Sequence, residues 1–119
     1  MDYRTRLTKR FKELENPFNT YFCAYDLNSS SFRGMKRGEA ICKLKWLANH
    51  SIDNLTTGIK CTEKRILKCR QTIAACGKIA EFQAAKKSEE RNVKLYEKCI
   101  DEKKNAIFLY KKVIEICNE

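Results

Sequence analysis

Proline occurs once and glycine four times in 119 residues. An all-β fold needs many tight turns, and turns draw on those two residues, so the shortage argues against one. Histidine occurs once, and no two cysteines stand in a C-x-x-C pair. That removes the usual zinc-ligand spacings. No apolar run approaches the roughly 18–20 residues of a membrane span, and "MDYRTRLTKRF" has no signal-like apolar core. The expectation is a soluble, cytoplasmic chain with reduced thiols and no membrane partner. There is no phosphate-cradling glycine loop and no nucleophile elbow. Glu89–Glu90 and Asp101–Glu102 read as surface partners of nearby lysines, and His50 as a helix-end residue. The expectation is a non-enzymatic protein with no cofactor.

What remains suits one all-α domain, residues 1–119. Apolar residues make up 43% and charged residues 34%, the balance of a globular chain rather than a disordered one. Over residues 2–15, Tyr3, Leu7, Phe11 and Leu14 step at helical spacing, and "NPF" (16–18) stops the pattern. "NTYFCAYDL" (19–27) fits either a short helix or an extended segment. "NSSSFRGMKRG" (28–38) has loop composition. "EAICKLKWLANHS" (39–51) reads as a helix with Ile41, Leu44 and Ala48 on its apolar face, widened by Trp46 and Leu47. Ser51 then caps a new helix, helped by Asp53.

Two apolar stripes follow. The first is Leu55, Ile59, Thr62, Ile66, Cys69, Ile73, Cys76 and Ala80, in alternating steps of four and three. The second is Val93, Tyr96, Ile100, Ile107, Tyr110, Ile114 and Cys117, interrupted by Lys103. The polar stretch "AAKKSEERN" (84–92) lies between them. One unbroken helix over 52–117 would leave both stripes in need of partner chains. An antiparallel hairpin satisfies them internally, with helices at about 52–86 and 90–117 turning near residue 88. The expected fold is a small helical bundle containing that long hairpin. Its seam is also a candidate surface for self-association.

Seven cysteines are many for an intracellular chain. Cysteines seven apart on a helix lie about 10 Å apart, too far for one metal ion or one disulfide. Across a hairpin turning near 88, facing residue numbers sum to about 176. Cys61 with Cys117 and Cys76 with Cys99 then become candidate disulfides. Cys23 with Cys42 is a third, and Cys69 is left over. The competing reading places the cysteines in the seam as small apolar residues. A secreted, disulfide-stapled protein is the alternative to a cytoplasmic one. Asn28, Asn49 and Asn54 begin short glycosylation-type patterns that arise readily by chance.

Charge is uneven. Residues 1–78 carry 16 Lys or Arg against 7 Asp or Glu, and residues 79–119 carry 9 against 8; the balances of +9 and +1 make up the net +10. Such a charge favours anionic partners. One cluster is Arg4, Arg6, Lys9, Arg10 and Lys12. A second is Arg33, Lys36, Arg37, Lys43 and Lys45. A third is Lys60, Lys64, Lys68 and Lys78, opposite the seam. Eight of the twelve aromatic residues lie in the first 46 positions. Lysine and arginine interleaved with aromatic rings can bind a nucleic acid strand by phosphate contacts and base stacking. The expected contacts are Arg33, Lys36, Arg37, Lys43, Lys45, Lys60, Lys64 and Lys68, with Phe32 as an exposed stacking ring. The alternative partner is an acidic protein surface, met by an inhibitor or adaptor module.

Overall fold

The computed structural model describes residues 2–119; Met1, the first residue of the expected domain, lies outside them. The chain is all-α, with three helices: α1 (Tyr3–Lys12), α2 (Arg37–Cys76) and α3 (Gln83–Cys117). No strand occurs among the described residues. α2 and α3 form a long antiparallel hairpin, and residues 3–36 pack around its open end.

The hairpin sets the shape. A helix of 40 residues is about 60 Å long at 1.5 Å per residue. The molecule measures 67 × 24 × 21 Å with a radius of gyration of 20.0 Å. A compact chain of this length has a radius near 13.5 Å. The structure is therefore a base, where residues 3–36 pack on the hairpin, with a two-helix stalk projecting from it.

Burial grades along that length. At the base, Phe11, Leu27, Leu44 and Val113 are fully enclosed, and Ala40, Ala48 and Ala106 let the helices approach closely. In the stalk, Ile59, Ile66 and Ile100 form a thinner core backed by Val93, Tyr96 and Ile107. Both stripes read from the sequence face this interior, except for Ala80, which lies exposed in the turn. The seam is thus occupied within one chain. Lys103, the apparent defect in the second stripe, meets a matching gap in the first. Its ammonium donates to Thr62 Oγ1 at 3.4 Å and lies 5.6 Å from the Tyr21 ring centre, over Gly58, where no side chain competes for the space.

Two boundaries differ from the sequence expectation. α2 runs unbroken through Ser51, which caps nothing, and His50 sits inside the helix rather than at its end. Nothing from Arg37 to Cys76 forbids helical dihedrals, and burial of Leu44 and Ala48 on the face that continues as Ile59 and Ile66 holds the helix straight through. The turn comes at 77–82, not near 88. Gly77 adopts φ +50°, a conformation that disfavours any side chain. Its N–H donates to Ile73 O at 3.3 Å, and its carbonyl accepts from Gln83 Nε2 and Lys86 Nζ, both at 3.2 Å. The stretch 84–92, polar enough to resemble a loop, is the solvated first part of α3.

The earlier turn moves the register. Gly58 and Thr62 meet Lys103, and Arg70 meets Glu97, so facing numbers sum to about 161–167. Cys61–Cys117 and Cys76–Cys99 are consequently out of level, and all seven cysteines are free thiols. Cys69, Cys76 and Cys117 are buried, as seam packing requires, whereas Cys23, Cys42 and Cys61 are exposed. Burial pushes the Cys117 thiol up, against the nearby Lys45. The Glu89 carboxylate beside Cys69 does the same for that thiol.

Residues 13–36 form an extended strap with no long helix. Asn105 Nδ2 donates to Asn16 Oδ1 at 3.0 Å and ties the strap to α3. Leu27 N donates to the buried Thr8 Oγ1 at 3.0 Å and ties it to α1. Phe22 and Tyr25 pack on Tyr110, with ring centres 4.9 and 6.2 Å apart; burial pushes the Tyr25 phenol up to about 12. Asp2 caps α1 by accepting from Thr5 N at 2.9 Å.

Two outcomes are expected in urea unfolding. Thr8→Val leaves the buried Leu27 N–H without an acceptor and lowers stability by about 1–3 kcal/mol. Gly58→Ala gains roughly 0.5–1 kcal/mol of helix propensity but pushes Lys103 off its seat, so the net change is expected to stay within about 0.5 kcal/mol of the parent. The added methyl meets the Lys103 side chain, nearest at Nζ, 3.2 Å away, with Cε and Cδ at 3.6 and 3.7 Å.

Candidate nucleic-acid interface

The basic residues singled out in the sequence separate into three groups. Arg33, Lys36 and Arg37 are exposed at the base, where α2 begins. Arg37 shares a cleft of about 230 Å³ with Arg6 and Arg10 of α1, so two sequence clusters converge at this end. Lys43 and Lys45 are half-buried. Lys43 donates to Ser31 O at 2.7 Å and covers the Phe32 ring at 4.9 Å, which commits it to holding the strap. Lys60, Lys64 and Lys68 are exposed on the outer face of the stalk, starting about 35 Å along the axis from Arg37. Lys78 lies past the end of α2, in the turn, and leaves that stripe.

Phe32 is not a stacking residue. It is only 3% exposed and belongs to the core of the base. The Ser30–Phe32 segment makes a single 3-10 turn that points the ring inward. Loop composition in "SSSFRGMKRG" reported the backbone and not the side chain.

The exposed ring is Trp46, which is 63% exposed although the sequence pattern placed it beside the apolar face. Its indole stacks on His50, with ring centres 5.0 Å apart and planes 6° from parallel. Trp46 and Lys64 are 18 residues apart on one helix, five full turns at 3.6 residues each. Trp46, Lys60, Lys64 and Lys68 therefore share one face of α2 over about 33 Å. Successive lysines stand about 6 Å apart along it. This relation was open to the sequence, but only for a helix unbroken at Ser51.

A shallow groove of about 610 Å³ runs beside the stripe, lined by Lys60, Lys64, Ile66, Leu67, Arg70 and Glu97, among others. Leu67 is 57% exposed there, and Arg70 pairs with Glu97 at 3.1 Å across the two helices.

Among the described residues, no group of three or more His, Cys, Asp or Glu side chains is placed to hold a metal ion. No helix among them is long and apolar enough to cross a membrane. The chain matches no known protein family, curated protein or solved structure.

Substitution separates the two rings. Phe32→Ala is expected to cost about 3–5 kcal/mol of unfolding free energy, as for a core phenylalanine. Trp46→Ala is expected to stay within about 0.5 kcal/mol of the parent, as for an exposed side chain outside the core. Thermal melts of both variants check this.

Proposed function

We propose that this protein binds nucleic acid through the outer face of α2, without enzymatic activity. Lys60, Lys64 and Lys68 contact phosphates, and Trp46 stacks on a base. The observation that carries the reading is the phase of Trp46 with the lysines, together with its exposure. A large ring left in solvent on a basic face is a platform for an unpaired base, and stacking of this kind tolerates any sequence. His50 holds the indole in one orientation, which lowers the ordering cost of stacking. Arg33, Lys36 and the half-buried Lys45 add positive charge near the base, while Lys43 and Phe32 serve the fold instead.

A second reading rests on the stalk groove. An exposed leucine in a groove lined by Lys60, Lys64 and Arg70 against Glu63 and Glu97 suits a partner helix with an apolar edge, its acidic side chains met by Lys60 and Lys64. The two readings place different weight on Leu67 and Trp46.

Gel shifts with single- and double-stranded DNA and RNA test the first reading. Binding is expected at about 50 mM salt and to weaken steeply by about 200 mM. Replacing Lys60, Lys64 and Lys68 together with Gln should reduce the salt slope for single strands by about 2, at roughly 0.7 per phosphate contact. Trp46→Ala should cost about 1–3 kcal/mol of binding. Leu67→Ala, which adds no charge beside the lysines, should leave binding close to the parent value. Absence of any shift at the lower salt with all four nucleic acids sinks the reading.

A further inference from the structure

The cleft at the base differs in character from the stalk stripe. Arg6 and Arg10 on α1 and Arg37 at the start of α2 converge on it, over a floor that includes Leu7 and Ile116. At about 230 Å³ it is smaller than the roughly 300–1,000 Å³ of sites for drug-sized ligands. Three guanidiniums in so small a space call for an anion of high charge. One carboxylate is already there: Glu119 pairs with Arg10. Among the described residues, Arg6 and Arg37 make no ion pair. Counting side chains alone, the cleft thus holds three positive charges against one negative.

The Arg10–Glu119 pair is loosely held. Both side chains are about half exposed, and an exposed pair is worth about 0–1 kcal/mol. A ligand with two charges and several acceptor oxygens can make more charge-assisted hydrogen bonds to the same guanidiniums than one carboxylate can. The apolar floor strengthens those bonds by excluding water from one side.

We propose that this cleft binds a phosphate dianion, free or as the terminal phosphomonoester of a larger molecule, on Arg6, Arg10 and Arg37, with Glu119 as the internal group it displaces. The site is independent of the stalk lysines.

The test is calorimetric titration of inorganic phosphate into the full chain, with ionic strength held constant by sodium chloride. Saturable binding with one site per chain is expected. Arg6→Gln with Arg37→Gln should raise the dissociation constant at least about tenfold, for the loss of two charged hydrogen-bonding partners. Glu119→Gln should lower it about twofold to fivefold, the worth of an exposed ion pair. The Lys60, Lys64 and Lys68 triple variant should bind phosphate like the parent, so failure of this site and failure of the stalk interface are distinguishable. Circular dichroism of each variant confirms that helix content is retained.

A second arm compares an oligonucleotide with and without a 5′-phosphate as competitor. Preferential competition by the phosphorylated strand assigns a strand terminus as ligand. Equal competition, with phosphate itself binding, assigns the free anion. No phosphate binding overturns the proposal. So does binding indifferent to the two arginine substitutions, or binding that Glu119→Gln leaves unchanged or weakens.

Discussion

Antiparallel contact between α2 and α3 along one seam holds every other feature in place. The seam residues of α2 are Ile59, Thr62, Ile66, Cys69 and Cys76, all buried. Ile100, Ala106, Tyr110, Val113 and Cys117 are among those that answer from α3. Because α2 buries one face, its opposite face is fixed in solvent, and Trp46 and the three lysines are fixed with it. Because the two helices run antiparallel, the start of α2 lies beside the end of α3. That juxtaposition creates the arginine cleft. Even the lysine in the seam fits this constraint, since Lys103 occupies room that Gly58 leaves open.

The N-terminal third divides the hairpin into unlike halves. Where residues 3–36 cover it, side chains such as Phe11 and Leu44 are sealed from water. Where they do not, isoleucines of the core keep a little exposure, and Leu67 and Leu95 stand well into solvent. Local stability follows buried apolar contact, so the base is the rigid part. The strap is held by a handful of side-chain bonds: Asn105 to Asn16, Thr8 to Leu27, Lys43 to Ser31, and Tyr3 and Arg4 to Met35. Its strained points, Asn19 and Tyr21 with φ of 50° and 60°, lie where it bends toward Lys103.

The helical class, the hairpin and the buried phase of both stripes were legible, because period 3.5 to 3.6 in apolar residues survives any error in helix ends. The ends themselves were not. A single glycine at 77 outweighed seven polar residues within 84–92, since one residue at positive φ stops a helix and a solvated face does not. That displacement of the turn, from near 88 to 77–82, unmade the paired cysteines. The break expected at Ser51 had the larger effect on the site. It separated Trp46 from Lys64 and hid a relation of whole turns. Phe32 failed for a different reason: composition reports where the backbone is irregular, not which way a ring points. The arginine cleft was beyond reach, because Arg6 and Arg37 come together only through the packing of all three helices.

The chain's closure has an entropic side. The turn at Gly77 joins residues six and nine apart through Gln83 and Lys86, whereas the Arg10–Glu119 contact spans 109 residues. Closing a flexible loop costs about 0.6 kcal/mol more for each doubling of its length. Contacts near the tip of the stalk therefore form from a small search, and those at the base from a search over nearly the whole chain. Zipping inward from the turn shortens that second search step by step. The weakly packed end of the molecule is in this sense the end that makes the tightly packed one accessible to folding.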